Sequence, residues 1–253
     1  MNIVQRNRLL PHPLPFVAPL RRIAPTGPSQ TPIVCAAYGG ARRLFQILGA
    51  GLIAAALTAS GEARAQPLQV VAFGDSLSAG YELPEDAGFP AQLERALRAD
   101  GFDVTVTNAG VSGDTASGGL ERVDWSVPDG TDLAIVELGA NDMLRGIDPS
   151  LTRRAIDGIL ARLKQRKISV VLAGMLSAPN MGADYSAQFA SIYSGLAKSY
   201  EVPLYPFFLA GVVGKPDLHL ADGLHPNREG VAVIVKGILP TIEAALRRLK
   251  PPG

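Results

Sequence analysis

An α/β fold of three layers, a five-stranded parallel sheet with helices on both faces, is predicted by three features of this sequence. From Leu68 onward short apolar runs alternate with longer amphipathic stretches, the runs end in Gly or Asn, and no fixed-period repeat or linker interrupts residues 68–250. In chain order, Leu68–Phe73 (LQVVAF) is the first apolar run and so the first strand, followed by an amphipathic stretch, Phe89–Arg98, that reads as a helix. Val104–Asn108 and Leu133–Leu138 (LAIVEL) are the second and third strands. The helix over Leu151–Lys167 rests on one stripe at 3.6 spacing, formed by Leu151, Ile156, Ile159, Leu160 and Leu163. Arg153, Arg154, Arg162, Lys164 and Arg166 fall mostly off that stripe, as a solvated face does. Ser169–Ala173 (SVVLA) and Val202–Tyr205 complete the sheet, a helix over Ser186–Tyr200 separates them, and a last helix near Arg228–Leu249 closes the chain.

The simplest topology for this order is flavodoxin-like, in one domain spanning residues 66–250. In such a sheet ligands bind at the carboxyl ends of the strands, so the residues that follow each strand are the candidates for chemistry. The composition fits a packed enzyme or binding domain: 253 residues, 47% hydrophobic and 19% charged with a single cysteine, exclude a disordered chain, a collagen and a disulfide scaffold.

The net charge of +1 conceals an uneven distribution. Residues 1–65 hold seven arginines against Glu62, a formal +6, which leaves −5 on the other 188 residues. An acidic body lacks the clustered Lys and Arg that nucleic acid or anionic lipid requires, so neither is an expected partner. Ala41–Ala65 has the order of a secretory signal. Arg42 and Arg43 precede the uncharged stretch Leu44–Gly61, and Ala63-Arg64-Ala65 supplies an A-x-A site. Cleavage is expected after Ala65, which gives a periplasmic or secreted protein without a stable membrane anchor. The alternative, a permanent anchor, is disfavoured by the near-minimal length of the stretch and its Ala and Gly content. The Arg pair leaves both the general and the twin-arginine export routes open. Residues 1–40 carry seven of the 20 prolines and no apolar periodicity. They are expected to be an unstructured extension, or to precede a true translation start near residue 34–41. Cys35 lies before the apolar core, so the exported chain would carry no cysteine.

The strand ends present Gly74-Asp75-Ser76-Leu77, Ser112-Gly113-Asp114-Thr115 and Gly139-Ala140-Asn141-Asp142, and the loop before the last helix adds Asp222-Gly223-Leu224-His225-Pro226. Acyl transfer needs this inventory: a nucleophile, a base to take its proton, a group to orient the base, and donors for a tetrahedral oxyanion. Ser76 stands where a strand gives way to a turn. The base has to be His219 or His225, the two histidines of the body, and Asp222 stands three residues before His225, where a tight loop brings a carboxylate to Nδ1. Gly113 offers an unobstructed backbone N–H, and Asn141 an amide that could face an oxyanion. Taken singly, these are turn, cap or surface residues; what points to chemistry is their convergence on one rim.

GDSL at 74–77, the Gly113 of SGDT, GAND at 139–142 and DGLHP at 222–226 resemble the SGNH (GDSL) hydrolases, block for block and in order. The longer stretches GDSLSAGY, VSGDTASGGLERV, VELGANDMLRG, VPLYPFF and DGLHPNREG look like the bacterial periplasmic thioesterase-I-type branch, which also acts as lysophospholipase and arylesterase. The likeness covers essentially residues 68–248. It implies Ser76 as nucleophile, His225 as general base, Asp222 as its orienter, and an oxyanion hole from the Ser76 amide, the Gly113 amide and the Asn141 side chain. It also implies small-molecule acyl esters, lysophospholipids or thioesters as substrates, no cofactor or metal, and a monomer. Asp75 and Asp142 are assigned structural hydrogen bonding. Ser78 stands where the second Gly of the lipase elbow G-x-S-x-G would be, which disfavours an α/β-hydrolase.

Met143, Leu144, Leu176 and Met181 lie in loops expected to border the site and are the candidate walls of an acyl channel. Phe207 and Phe208 are nearby but read better as core residues. Three other readings compete. A carbohydrate O-acetylesterase would share the same blocks. A metal-binding module would use Asp217, His219, Asp222 and His225, without a second cluster to support it. A non-catalytic ligand binder would lack any phosphate loop, since no Walker A or G-x-G-x-x-G motif follows the first strand.

Overall fold

The computed structural model describes residues 66–249. The expected signal segment 41–65 and the extension 1–40 lie outside the described residues. Five parallel strands, β1 (Leu68–Gly74), β2 (Val104–Gly110), β3 (Leu133–Glu137), β4 (Ser169–Ala173) and β5 (Leu204–Tyr205), form one sheet in the order β2-β1-β3-β4-β5. This is the flavodoxin-like order, whose direction reverses between β1 and β3 and opens a crevice at their carboxyl ends. Val70–Phe73 and Leu133–Val136 are buried throughout, as strands covered on both faces must be.

The helices are α1 (Ser76–Ala79), α2 (Phe89–Ala99), α3 (Ala116–Ser126), α4 (Ala140–Leu144), α5 (Pro149–Gln165), α6 (Ala183–Tyr200) and α7 (Arg228–Leu249). One layer pairs α2 with α7; the other packs α3 against α5 and α5 against α6. Among the described residues no helix is long and apolar enough to cross a membrane.

The differences from the expected elements have local causes. The fifth strand is shorter than Val202–Tyr205 because the Val202 N–H donates to Ala197 O (3.0 Å), which closes α6, and Pro203 has no N–H to give the ladder. The third strand stops before Leu138, whose carbonyl accepts the Tyr193 hydroxyl (2.9 Å). Helix α5 starts at Pro149 because Asp148 caps it through the Ser150 N–H (2.8 Å). Leu151, placed on the apolar stripe by the sequence, is 46% exposed, while Ile156, Ile159, Leu160 and Leu163 are buried as expected. Helix α3 is not among the expected elements. Its Gly118-Gly119 pair lowers helix propensity, but a side chain at Gly119 would overlap Leu138, so small size here lets the helix approach the sheet.

Candidate active site

The site sits at the crevice between the ends of β1 and β3. Gly74, the last residue of β1, has no side chain because a Cβ there would collide with Ser78 and with Glu137 at the end of β3. Asp75 then caps α1, its Oδ1 accepting the Leu77 N–H at 3.0 Å, and Ser76 is the first residue of that short helix. Ser76 is 8% exposed, so its hydroxyl stands at the floor of the opening.

The loop between β5 and α7 delivers the partner. Asp222 forms a tight turn in which its Oδ1 accepts the N–H groups of Leu224 (2.9 Å) and His225 (3.0 Å). The same turn aims the second oxygen at the imidazole: His225 Nδ1–H donates to Asp222 Oδ2 at 2.5 Å, which leaves Nε2 to accept the Ser76 hydroxyl at 2.9 Å. Hydrogen bonding from His225 is the chief reason the Asp222 carboxyl is held down at about 2, so it stays ionised beside the ring. The turn-forming and imidazole-orienting roles of Asp222 are thus carried by different oxygens.

Asn141, in the first turn of α4, faces the same opening. Its Nδ2 donates to Asp75 Oδ2 at 3.1 Å. Gly113 lies in the loop after β2 with φ +86°, a conformation that favours glycine, and its carbonyl accepts from Arg145 Nη2 at 2.7 Å. That loop is held by Arg122, which the sequence alone does not single out. Its guanidinium donates to Asp114 Oδ2 (2.5 Å), Ala109 O (2.8 Å) and Gly74 O (2.8 Å), and stacks 4.3 Å from the Phe73 ring centroid. A buried arginine thereby ties the ends of β1 and β2 to the residue after Gly113.

Three buried acids lie beneath this rim. Asp142 accepts Ala116 N–H (2.8 Å) and the Thr152 hydroxyl (2.9 Å), joining α3, α4 and α5. Asp75, fully buried, is pushed up to about 6 by desolvation. Glu137 accepts the Ser78 hydroxyl at 2.8 Å through Oε2 while Oε1 is buried without a partner; burial first, and the nearby Asp75 charge second, push its carboxyl well above its ordinary range. A neutral Glu137 fits that environment. The sequence signal for Glu137 is a charged residue inside an apolar strand, LAIVEL, which a strand assignment by hydrophobicity passes over.

Beside Ser76 opens a groove of about 400 Å³ whose walls include Met143, Leu144, Leu176 and Phe207, with Ser76, Asn141 and His225 at one end. Three of the four expected wall residues are therefore in place. Met181 is not: it closes a 3-10 turn, Pro179–Met181, outside the groove walls, with its Cε toward Gly146. Phe208 is a core residue, fully buried against Phe89, whereas Phe207 reaches the groove. Asp217, His219, Asp222 and His225 are not assembled as a ligand set. His219 Nδ1 lies 2.9 Å from Lys215 O, and among the described residues no group of three His, Cys, Asp or Glu side chains is placed to hold a metal.

Comparison with known proteins adds to this geometry. Residues 72–233 match the model of the GDSL-like Lipase/Acylhydrolase family. The chain is 41% identical over 162 residues to an arylesterase of Vibrio mimicus, covering 64% of this chain and 81% of that protein. It is 39% identical over 157 residues to the thioesterase 1/protease 1/lysophospholipase L1 of Escherichia coli K12, covering 62% of this chain and 74% of that protein. Among solved structures, the SGNH-hydrolase family esterase AlinE4 superposes with a TM-score of 0.61 at 46% identity, over 72% of this chain and 97% of that one.

Proposed function

Because this chain belongs to the GDSL-like lipase/acylhydrolase family and is an ester and thioester hydrolase, we propose that it works through an acyl intermediate on Ser76, with His225 as base and Asp222 as its orienter. The observation that carries this reading is the continuous chain Ser76 Oγ, His225 Nε2, His225 Nδ1, Asp222 Oδ2, with links of 2.9 and 2.5 Å.

In the proposed reaction His225 Nε2 takes the hydroxyl proton as Ser76 Oγ attacks the acyl carbon, and the carbonyl π electrons move onto oxygen. The Ser76 and Gly113 amides and Asn141 Nδ2 stabilise that oxyanion. Collapse expels the alcohol or thiol, which receives the proton from His225, and water repeats the sequence to release the acid. Ionised Asp222 holds the ring in the tautomer with a free Nε2 and offsets the charge of the imidazolium.

The groove supports acyl chains rather than acetyl groups as the recognised part of the substrate. Its volume lies within the range of ligand pockets, about 300–1,000 Å³, and its walls are mostly apolar. This favours aryl and lipid esters, lysophospholipids and acyl thioesters over an O-acetylated carbohydrate. The order of charge, apolar core and A-x-A in Ala41–Ala65 supports export and a periplasmic or secreted enzyme, which N-terminal sequencing of the mature protein tests by a start at Gln66.

The test is hydrolysis of p-nitrophenyl esters from acetyl to palmitoyl, with Ser76→Ala as control. Serine-dependent turnover that rises beyond the four-carbon chain is expected. Turnover confined to acetyl would move the reading to a deacetylase, and wild-type-like turnover by Ser76→Ala would remove Ser76 from the mechanism.

A further inference from the structure

His225 is held by two hydrogen bonds, one at each ring nitrogen. Hydrogen bonds at the ring nitrogens fix the distances to Asp222 and Ser76 but resist less well a rocking of the ring about the line through the two nitrogens. The Cγ–Cβ tether limits that motion, and a contact on a ring face opposes it further. One is present: the Tyr81 ring lies over His225 with centroids 4.4 Å apart and planes tilted by 34°.

The backbone that presents Tyr81 is anchored to the nucleophile. The Tyr81 N–H donates to the carbonyl of Ser76 at 3.2 Å, and the turn is closed by Leu83 N–H on Gly80 O at 2.9 Å. The turn contains two left-handed residues, Gly80 at φ +79° and Glu82 at φ +55°. Glu82 has a side chain and so bears the cost of a conformation that residues other than glycine populate sparsely. Between the two stands Tyr81, which is 39% exposed and so is not placed by core burial.

We propose that Tyr81 is a positioning residue for the base, its ring pressed on the face of His225 so that Nε2 stays in line with the Ser76 hydroxyl and the imidazolium formed during attack lies against an aromatic face. The proposal rests on His225 acting as the base. An aromatic face favours a neighbouring cation over its neutral form, so the contact strengthens when the proton arrives, as an interaction that accelerates the reaction must. The phenol oxygen is not required for either effect, which makes the ring itself the active element.

The experiment measures kcat and KM for p-nitrophenyl octanoate and thermal stability for Tyr81→Leu, Tyr81→Phe, His225→Ala and the Tyr81→Leu/His225→Ala double variant, all in the full chain. Tyr81→Leu is expected to lower kcat on the order of tenfold with KM within about twofold and unchanged melting, and Tyr81→Phe to restore kcat within about twofold. On the His225→Ala background, Tyr81→Leu is expected to change the residual rate by less than about twofold, because a residue acting through His225 has nothing left to act on. A raised KM with kcat retained in Tyr81→Leu would make the ring a substrate wall and overturn the proposal. So would an equal loss of kcat with and without His225. Full activity in Tyr81→Leu while His225→Ala is inactive would also overturn it and leave the triad intact. Full activity in His225→Ala would instead overturn the reading on which it rests.

Discussion

Asn141 Nδ2 donates to Asp75 Oδ2 at 3.1 Å, so the residue before the nucleophile decides which end of the Asn141 carboxamide faces the groove. An asparagine side chain reverses donor and acceptor on a half-turn. A carboxylate partner accepts only from nitrogen, and this fixes the orientation of the carboxamide whose nitrogen serves the oxyanion in the proposed reaction.

Asp75→Asn tests that relationship. Two N–H groups, Leu77 N and Asn141 Nδ2, are directed at the two Asp75 oxygens, and an amide offers one oxygen. Whichever way the substituted carboxamide turns, one donor meets a donor. The expected result is a kcat lower by about ten- to a hundredfold on p-nitrophenyl esters with KM nearly unchanged, read by steady-state kinetics.

Asp222→Asn separates the two roles of Asp222. The turn N–H groups of Leu224 and His225 retain an oxygen to bind, so melting should shift little. The amide nitrogen then faces His225 Nδ1 and favours the tautomer that cannot accept from Ser76. Loss of kcat by about 10⁴ is expected, as for the equivalent change in other triads. Because the wild-type carboxyl is held near 2, its favourable contribution to folding is complete above its ordinary 3.8 and is lost as pH falls toward 2, so activity lost above about pH 4 does not arise at Asp222.

Glu137→Gln should change stability in a pH-dependent way. The folded carboxyl keeps its proton well above the ordinary 4.5, while the unfolded one releases it. The native state then binds more protons than the unfolded state, and wild-type stability falls as pH rises past 4.5. The isosteric amide keeps an acceptor for Ser78 and carries no such dependence. Melting curves between about pH 4.5 and 8 should therefore show the variant gaining on the wild type as pH increases.

Met143→Trp should shorten the preferred acyl chain by filling the groove from one wall. The kcat/KM for octanoyl and longer p-nitrophenyl esters is expected to fall more than about tenfold while that for acetyl holds within about twofold. An unchanged chain-length profile would place the acyl group elsewhere.

The proposed reacting groups are legible in the sequence because each follows a strand or sits in a short loop whose spacing constrains it: Ser76 after β1, Asn141 after β3, and Asp222 three residues from His225. What surrounds them is harder to see. Arg122 draws its role from carbonyls of Gly74 and Ala109, far away in the chain, and its own helix is hidden by two glycines, one of which serves close packing on Leu138 that exists only in three dimensions. Met181 departs from its expected place for a related reason, since a residue near the site in sequence can turn away within a single 3-10 turn. Val202–Pro203 reads as strand because it is apolar in composition, while hydrogen bonding rather than hydrophobicity sets the start of β5.

The hydrogen bond between Ser76 and His225 joins residues 149 positions apart. The proposed nucleophile is synthesised early in the domain and the proposed base late, so on that proposal a nascent or C-terminally shortened chain lacking the loop before α7 holds no complete reaction centre. The entropy of closing so distant a contact is lost before the contact rewards it, and sheets rich in non-local pairings fold slowly. Recovery of esterase turnover after dilution from denaturant therefore acts as a clock for that final closure, and should lag behind the return of helical signal.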